Sequence, residues 1–261
     1  MFFMARIRAA IVGLFVCLLL LLSAGCWLQV GISTGLSSGE KEYIAIFNRV
    51  DELLIGDLGD TVLLAELGSK YEGKEIIGLG TTAREHCGEL IFSSGNCYWA
   101  DPTNQGRIVE LNWSEEKLPF CAVVRVDRVA GSTFDGVDGD LHAHVEGKAK
   151  ELCVPLAAVR VKGRFSGVKL SIADRLPVNA DEKVEGVVVT VDDEREWGFV
   201  GFYALTENDQ EIISIDGHPV HLHGMTGDGS HGGHLVQANA VDAEVTIYPI
   251  GQYILRNRVP R

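Results

Sequence analysis

The sequence predicts an α+β fold made of two related mixed β-sheet units with few helices. Three observations support this class. Short β-rich runs separated by glycine turns dominate the chain after about its first 70 residues, helical spacing is confined to two short segments, and one short pattern occurs in both halves. With 261 residues, the chain can bury one large core or two smaller ones.

Two segments have the spacing of short helices. In the first, over residues 42–54, the apolar side chains recur every three or four positions. These side chains are Tyr43, Phe47, Val50 and Leu54. The second helix is predicted to begin at the cap residue Asp60 and to end at Gly68.

Most of the remaining chain reads as strands. Residues 88–92 and 97–99, separated by a turn that contains Gly95, predict a hairpin. Residues 241–248 alternate apolar and polar side chains, as a half-buried strand does. The other predicted strands cover residues 121–126, 156–161, 184–191 and 199–204.

A short pattern recurs in the two halves of the chain. Residues 80–83 and 89–91 read Gly-Thr-Thr-Ala and Glu-Leu-Ile, whereas residues 201–204 and 211–213 read Gly-Phe-Tyr-Ala and Glu-Ile-Ile. The match requires one inserted residue and is short, so chance is the alternative explanation. A structural relation between two α+β units is the interpretation that the repeat favours.

An acidic, glycine-rich stretch over residues 130–140 separates the two halves. We therefore expect an N-terminal α+β unit at residues 42–140 and a C-terminal α+β unit at residues 141–261. The second unit contains a histidine-rich segment. Residues 27–41 are rich in glycine and serine and predict a flexible tether.

Residues 1–26 have the order of an export signal, with two arginines, an apolar run and then small residues. Cys26 follows Ser-Ala-Gly and suggests a lipoprotein processing site, although Ser23 stands where leucine is usual. An uncleaved membrane anchor is the alternative, because the apolar stretch through Val30 approaches the ~20 residues that span a bilayer. In both cases we expect the globular part on the extracellular or periplasmic side.

The charge of the chain excludes one class of partner. The formal charge of −13 falls to −15 when Arg6 and Arg8 are removed with the signal. Such a surface repels phosphate backbones, so we expect no nucleic-acid partner. The charge does not exclude a homodimer. Four cysteines beyond the signal permit disulfides in an exported protein, but their pairing cannot be read from the sequence. They are Cys87, Cys97, Cys121 and Cys153.

The strongest functional signal is a group of three histidines near the C-terminus. On a strand, His221 and His223 point to the same face, and the glycine-rich stretch after them lets the backbone return with His234. Zinc accepts three imidazoles and keeps a fourth position open, which is the arrangement of a catalytic site. A glycine-rich surface hairpin that binds no metal is the alternative. A second His-x-His pair, His142 and His144, lacks a third ligand and is predicted to be a solvated surface pair.

Several short motifs accompany this histidine segment in a specific order. They include Gly56-Asp-Leu-Gly-Asp-Thr, Gly88-Glu-Leu-Ile, Leu118-Pro-Phe-Cys-Ala and Val200-Gly-Phe-Tyr. In order and spacing the motifs resemble the acetolactate decarboxylase family over roughly residues 45–250.

The resemblance implies an acetolactate-decarboxylase-like fold, a zinc ion held by His221, His223 and His234, and a functional glutamate at Glu89. It implies a 2-hydroxy-2-methyl-3-oxo acid as the small-molecule substrate, converted to acetoin and carbon dioxide. The hydroxyl and neighbouring carbonyl of such an acid can chelate an open-site metal, which stabilises the enediolate left after carbon dioxide departs. Glu89 is the candidate proton donor or a further metal ligand, and an exposed hairpin residue is the alternative.

Two departures from the family leave other functions open. The family has an arginine in a Val-Lys-x-Arg run, but here Ser171 follows Val168-Lys-Leu, so Arg175 is the candidate catalytic replacement. A solvated loop residue is the alternative for Arg175. The family also has a glutamate in a C-terminal segment, for which we find no equivalent before Arg261. The alternatives to an exported decarboxylase are a zinc-containing small-molecule binding protein without turnover and a lyase or isomerase for another hydroxy-keto acid.

Overall fold

Two β-sheets contain most of the described residues of this computed structural model. The described residues are 42–56, 61–113, 116–214 and 217–256. They belong to one compact unit, Lys41–Arg261. The predicted signal and tether lie outside the described residues, as does the predicted helix cap Asp60. None of the helices in the described ranges has the length and apolar character needed to cross a membrane.

The first sheet has seven strands. They are β1 (Ile44–Phe47), β3 (Ile76–Thr81), β4 (Glu89–Ser93), β5 (Asn96–Asp101), β6 (Arg107–Leu111), β8 (Phe120–Arg125) and β15 (Tyr253–Arg256). Their spatial order is β15-β1-β8-β3-β4-β5-β6, and β1 with β15 is the parallel pair in this antiparallel sheet. A separate short ladder joins β2 (Val62–Leu63) to β7 (Lys117–Leu118).

The second sheet has six strands. They are β9 (Ser132–Asp140), β10 (Leu156–Arg175), β11 (Glu185–Val191), β12 (Arg195–Ala204), β13 (Val220–Thr226) and β14 (Gly232–Pro249). The order is β11-β10-β12-β13-β14-β9, and β10 also pairs with β14. Strands β10, β12, β13 and β14 therefore form a closed circuit of hydrogen-bonded neighbours, which leaves these strands without long exposed edges.

Four α-helices occur in the described ranges. They are α1 (Val50–Leu54), α2 (Leu64–Tyr71), α3 (Leu141–Glu151) and α4 (Glu207–Ile213), and a 3₁₀ turn covers Pro102–Asn104. Asp140 caps α3 by accepting a hydrogen bond from the Ala143 N–H at 2.8 Å, and Thr206 caps α4 in the same way through Asp209.

The two helices predicted near the start of the chain differ from those observed. The expected helix over 42–54 is wrong for Ile44–Phe47, because these residues pair with β8 and β15 as a buried strand, and α1 forms only after them. Helix α2 continues through Gly68 to Tyr71. Gly68 fits there because the Trp113 side chain packs against it, at 2.9 Å from the position that a Cβ would take.

The division at residue 140 also differs from the observed sheets. The acidic stretch expected to separate two units is largely strand β9, which pairs with β14 in the second sheet. Strand β15 returns to the first sheet beside β1. In the internal pattern, Glu89–Ile91 lies in a strand, whereas Glu211–Ile213 lies in helix α4, so the two segments are not structurally equivalent.

An apolar core joins the two sheets. Ile77, Leu79 and Ile91 of the first sheet share a buried cluster with Val200 and Phe202 of the second. Each of these five side chains is at most 4% exposed. His221 and His223 on β13 lie directly opposite Phe202 and Val200 in the register, and Glu89 lies two residues before Ile91 on β4. Because directly paired residues and residues two apart share a face of the sheet, these three side chains also point to the junction between the sheets.

Gly201 permits the close approach of β12 to β13 at this junction. A Cβ at Gly201 would lie 2.0 Å from the backbone carbonyl oxygen of His221, whereas a Cβ at Gly198 on the same strand would have its nearest neighbour at 4.0 Å. We expect Gly201→Ala to lower the free energy of unfolding by about 2 kcal/mol, because overpacking against backbone is poorly relieved. Urea unfolding measures both variants, and Gly198→Ala should change the free energy of unfolding by no more than about 0.5 kcal/mol. Equal stability of the two variants would contradict this packing.

Candidate metal centre

Three histidine side chains meet where β13 and β14 pair. His221 and His223 are two apart on β13, and His234 on β14 lies directly opposite His223 in the antiparallel register. The ring centroids are 4.9 to 5.6 Å apart, and one ring nitrogen from each residue lies within 4.8 Å of the others. The structure thus brings together the three residues that the His-x-His spacing and glycine-rich return predicted.

Backbone carbonyls orient two of the rings. The Nδ1 atom of His221 is 2.6 Å from the carbonyl oxygen of Ile213, and Nδ1 of His223 is 2.8 Å from that of Leu90. A carbonyl can only accept a hydrogen bond, so each Nδ1 carries the proton and each Nε2 presents a lone pair. Carbonyl partners of this kind commonly fix the tautomer of metal-binding histidines.

The free lone pairs of these rings face one another. The Nε2 atoms of His221 and His223 are 3.2 Å apart. Two nitrogens at the 2.0–2.1 Å distance of a tetrahedral zinc site would be separated by about 3.4 Å. Two acceptors this close repel each other unless a cation lies between them. The donor set therefore fits zinc.

Burial keeps the three imidazoles neutral. Desolvation lowers the pKa of His221 to about 4 and holds the pKa values of His223 and His234 well below their usual range. Neutral imidazole is the form that binds a metal. Nδ1 of His234 is buried and has no hydrogen-bond partner among the described residues.

Glu89, the first residue of β4, places a buried carboxyl beside this cluster. Its Oε1 accepts a hydrogen bond from the Ala173 N–H at 2.9 Å, and its Oε2 is 3.6 Å from Nε2 of His223. The side chain is 11% exposed. Burial raises the pKa of Glu89 to about 8, while the Ala173 N–H acts in the opposite direction.

Hydrogen bonds between the two sheets fix the start of β4. The N–H groups of Cys87 and Gly88 donate to the carbonyls of Asp174 and Ala173 on β10, at 3.0 and 2.6 Å. Gly88 has φ +65°, and a Cβ there would lie 2.0 Å from Nε1 of Trp99. This left-handed backbone and close contact require glycine before Glu89.

A cavity of about 580 Å³ opens onto Glu89, His221 and His223. Most of its remaining wall is apolar. The apolar side chains include Val50, Leu53, Leu54, Phe120, Ile172, Leu176, Val184 and Val187. This combination of a few convergent polar groups and an apolar wall is typical of a small-molecule site.

A second cavity, of about 430 Å³, is lined by His234, His142 and His218. Ser171 lines both cavities. The predicted solvated surface pair is wrong for His142, because helix α3 packs against β14 and leaves this ring half-buried, which lowers its pKa. His144 is also half-buried, and its Nε2 has no hydrogen-bond partner in the described part of the chain.

The structure does not bring Arg175 into the cavity that holds Glu89. Arg175 is exposed and lines a neighbouring depression together with Leu176 and Lys183. Lys183 lines both this depression and the main cavity. No motif in the sequence marks Lys183, and only the path of the loop between β10 and β11 places it on the wall of the main cavity.

Three of the four cysteines beyond the predicted signal are free thiols. Cys87, Cys97 and Cys121 are buried and unpaired with other cysteines. Burial raises the pKa of the Cys121 thiol, and it does the same for Cys87 and Cys97. These thiols therefore belong to the packed core of the first sheet and of the junction rather than to a metal site.

Comparison with known proteins gives one family for this fold and site. The family model described as alpha-acetolactate decarboxylase matches residues 48–258. Comparison with curated protein sequences gives no match.

Solved structures show the same fold. Acetolactate decarboxylase from Bacillus subtilis subspecies spizizenii is 21% identical, with a TM-score of 0.66 over 84% of this chain and 90% of that chain. Alpha-acetolactate decarboxylase from Bacillus subtilis strain 168 gives 21% identity, a TM-score of 0.67 and the same coverage. A Staphylococcus aureus protein of unknown function, similar to alpha-acetolactate decarboxylase, is 19% identical to this chain. Its TM-score is 0.67, over 82% of this chain and 88% of that chain. These matches confirm the predicted acetolactate-decarboxylase-like α+β fold.

Proposed function

This chain belongs to the alpha-acetolactate decarboxylase family, and on that premise we propose that it is an exported, zinc-dependent carboxy-lyase. Its proposed substrate is a 2-hydroxy-2-methyl-3-oxo acid, and its products are acetoin and carbon dioxide. The observation that carries the proposal is the convergence of three neutral imidazoles beside one buried carboxyl, with two of the imidazoles and the carboxyl lining the same cavity. The export part rests on the sequence of residues 1–26 alone.

The three histidines are the proposed zinc ligands. The carbonyls of Ile213 and Leu90 hold two of the rings with their Nε2 lone pairs facing each other, so little rearrangement is needed to bind an ion. When bound, zinc would supply a Lewis acid for the adjacent hydroxyl and carbonyl oxygens of the substrate. Neutral ligands leave the full positive charge of the ion available for this purpose.

In the proposed reaction, the bond between C2 and the carboxylate carbon breaks and carbon dioxide leaves. The electron pair of that bond stays on C2 and delocalises onto the neighbouring carbonyl oxygen, which gives an enediolate. Protonation of one carbon of this enediolate completes acetoin.

Glu89 is the proposed proton donor. The Ala173 N–H fixes Oε1, and Oε2 is left on the side of His223 and the cavity. A carboxyl held in one orientation can deliver its proton to one face of a planar carbon. After the transfer, the carboxylate would take a proton from water and return to its starting state.

The apolar wall suits the rest of the substrate. Leu53 and Leu54 of α1, Phe120 of β8 and Leu176 after β10 surround the cavity with groups that offer no hydrogen bond. The methyl groups of a 2-hydroxy-2-methyl-3-oxo acid can contact this wall while its oxygens face the histidines. Burial of two methyl groups in this way contributes on the order of 1 kcal/mol to binding.

The direct test is incubation of the purified zinc-loaded protein with racemic acetolactate. We expect acetoin and carbon dioxide to form faster than in the spontaneous reaction, and this excess should vanish in metal-stripped protein and return when zinc is added. Zinc-loaded protein that gives no acetoin above spontaneous breakdown would contradict the proposed activity. Acetolactate binding without turnover would instead favour the zinc-containing binding protein as the function.

A further inference from the structure

The main cavity contains one cationic side chain beside two carboxyl groups. Among the described residues that line it, Lys183 is the one lysine or arginine, and the acidic residues are Glu89 and Glu182. The whole chain has a formal charge of −13. A carboxylate that enters this cavity therefore approaches a protein whose field repels it, and Lys183 is the one lysine or arginine on the described wall to oppose that field.

The ammonium group of Lys183 is available to a ligand. In the described ranges no salt bridge or hydrogen bond joins Lys183 to an acidic side chain. The neighbouring carboxylate of Glu182 is held elsewhere, because it accepts hydrogen bonds from the Val178 N–H at 3.2 Å and from Nδ2 of Asn179 at 3.0 Å. A lysine stem has four rotatable bonds, so an exposed Lys183 can turn its charged end toward the cavity.

We propose that Lys183 binds the carboxylate of the substrate and makes the cavity selective for hydroxy-keto acids over neutral hydroxyketones. This inference rests on the proposed function and adds a specificity-determining residue to it. The oxygens that would face the metal and the carboxylate of the substrate then contact different parts of the cavity wall. The hydroxyl and carbonyl oxygens face the histidines, and the carboxylate faces the loop between β10 and β11 that contains Lys183.

The chemistry of the reaction predicts which kinetic constant Lys183 affects. The carboxylate is charged in the bound substrate and loses that charge as carbon dioxide forms, so an ammonium ion beside it stabilises the bound substrate at least as much as the transition state. Removal of such a contact raises KM and leaves kcat nearly unchanged. A residue needed only for structure would instead change zinc content or thermal stability.

The test compares four variants of the full-length, zinc-loaded protein with acetolactate as the substrate. We expect Lys183→Ala to raise KM about 10-fold with kcat within about 2-fold, and Lys183→Arg to keep KM within about 3-fold because the charge is retained. Arg175→Ala and Lys169→Ala are the matched controls, since both side chains are exposed cations on β10 outside the lining of the main cavity. Their KM should equal that of the unaltered protein.

Inhibition by acetoin, the neutral product, gives a second measurement. Its inhibition constant should be the same in Lys183→Ala and in the unaltered protein, because acetoin has no carboxylate. An unchanged KM in Lys183→Ala, or a raised KM in Arg175→Ala alone, would overturn the role of Lys183. If the unaltered protein gave no turnover, the proposed function and this inference would both fall. Turnover with an unchanged KM in Lys183→Ala would remove only the inference.

Discussion

Replacement of His223 by alanine is expected to remove zinc binding and acetoin formation together. His223 is 2% exposed, and its Nε2 faces that of His221 at 3.2 Å, so the variant would lose one of the three proposed zinc ligands at a buried position. Loss of an outer partner of a metal ligand typically costs 10–100-fold in affinity, and loss of the ligand itself should exceed about 100-fold. Metal analysis after dialysis measures the zinc that each chain retains.

His231→Ala is the matched control for this variant. His231 lies in the turn between β13 and β14, and Nδ1 of its half-buried ring is 3.3 Å from the carbonyl oxygen of Gln105, outside the cluster of ligand atoms. This variant should retain zinc like the unaltered protein. Undiminished zinc in His223→Ala would show that the cluster is not the metal site.

Replacement of Glu89 by glutamine is expected to lower kcat by 10² to 10⁴-fold, which is the usual contribution of a positioned general acid. The amide has nearly the same shape, and its carbonyl oxygen can still accept the hydrogen bond from the Ala173 N–H. The variant should therefore fold and bind zinc like the unaltered protein. A steady-state assay with acetolactate, together with zinc analysis of the same sample, measures both effects.

Glu182→Gln serves as the control for this second prediction, because Glu182 lines the same cavity but is exposed and is hydrogen-bonded within its own loop. Its kcat should stay within about 3-fold of the original. A loss of zinc from Glu89→Gln would identify Glu89 as a metal ligand rather than a proton donor. Full activity in Glu89→Gln would remove this residue from the mechanism.

Local patterns in the sequence determine the part of the site that lies on one hairpin. His221 and His223 share a face because successive side chains of a strand point to opposite sides, and that relation holds wherever the strand lies. The glycine-rich turn returns the chain so that His234 stands opposite His223. The same kind of local information predicted the β4–β5 hairpin and the alternating strand now seen in β14.

The family resemblance points to Glu89, a residue of the site that the spacing of side chains along the chain cannot predict. The hydrogen bond between Nδ1 of His223 and the carbonyl of Leu90 joins residues 133 positions apart, and Glu89 meets Ala173 across 84 positions. No periodicity connects such residues. The Gly-Glu-Leu-Ile motif points to Glu89 because it resembles that of the family, while the position of Glu89 near His223 depends on how the two sheets pack.

Only the tertiary structure decided the remaining features. Ile44–Phe47 has helical spacing but is a strand, since β8 and β15 offer hydrogen bonds and burial on either side. Residues 132–140 look like a linker by composition but pair with β14. Arg175 and Lys183 are both cations near the ends of the loop between β10 and β11, and the path of that loop places Lys183 on the cavity wall. Strand pairing and cavity lining depend on contacts between distant residues, and a local pattern contains no information about those contacts.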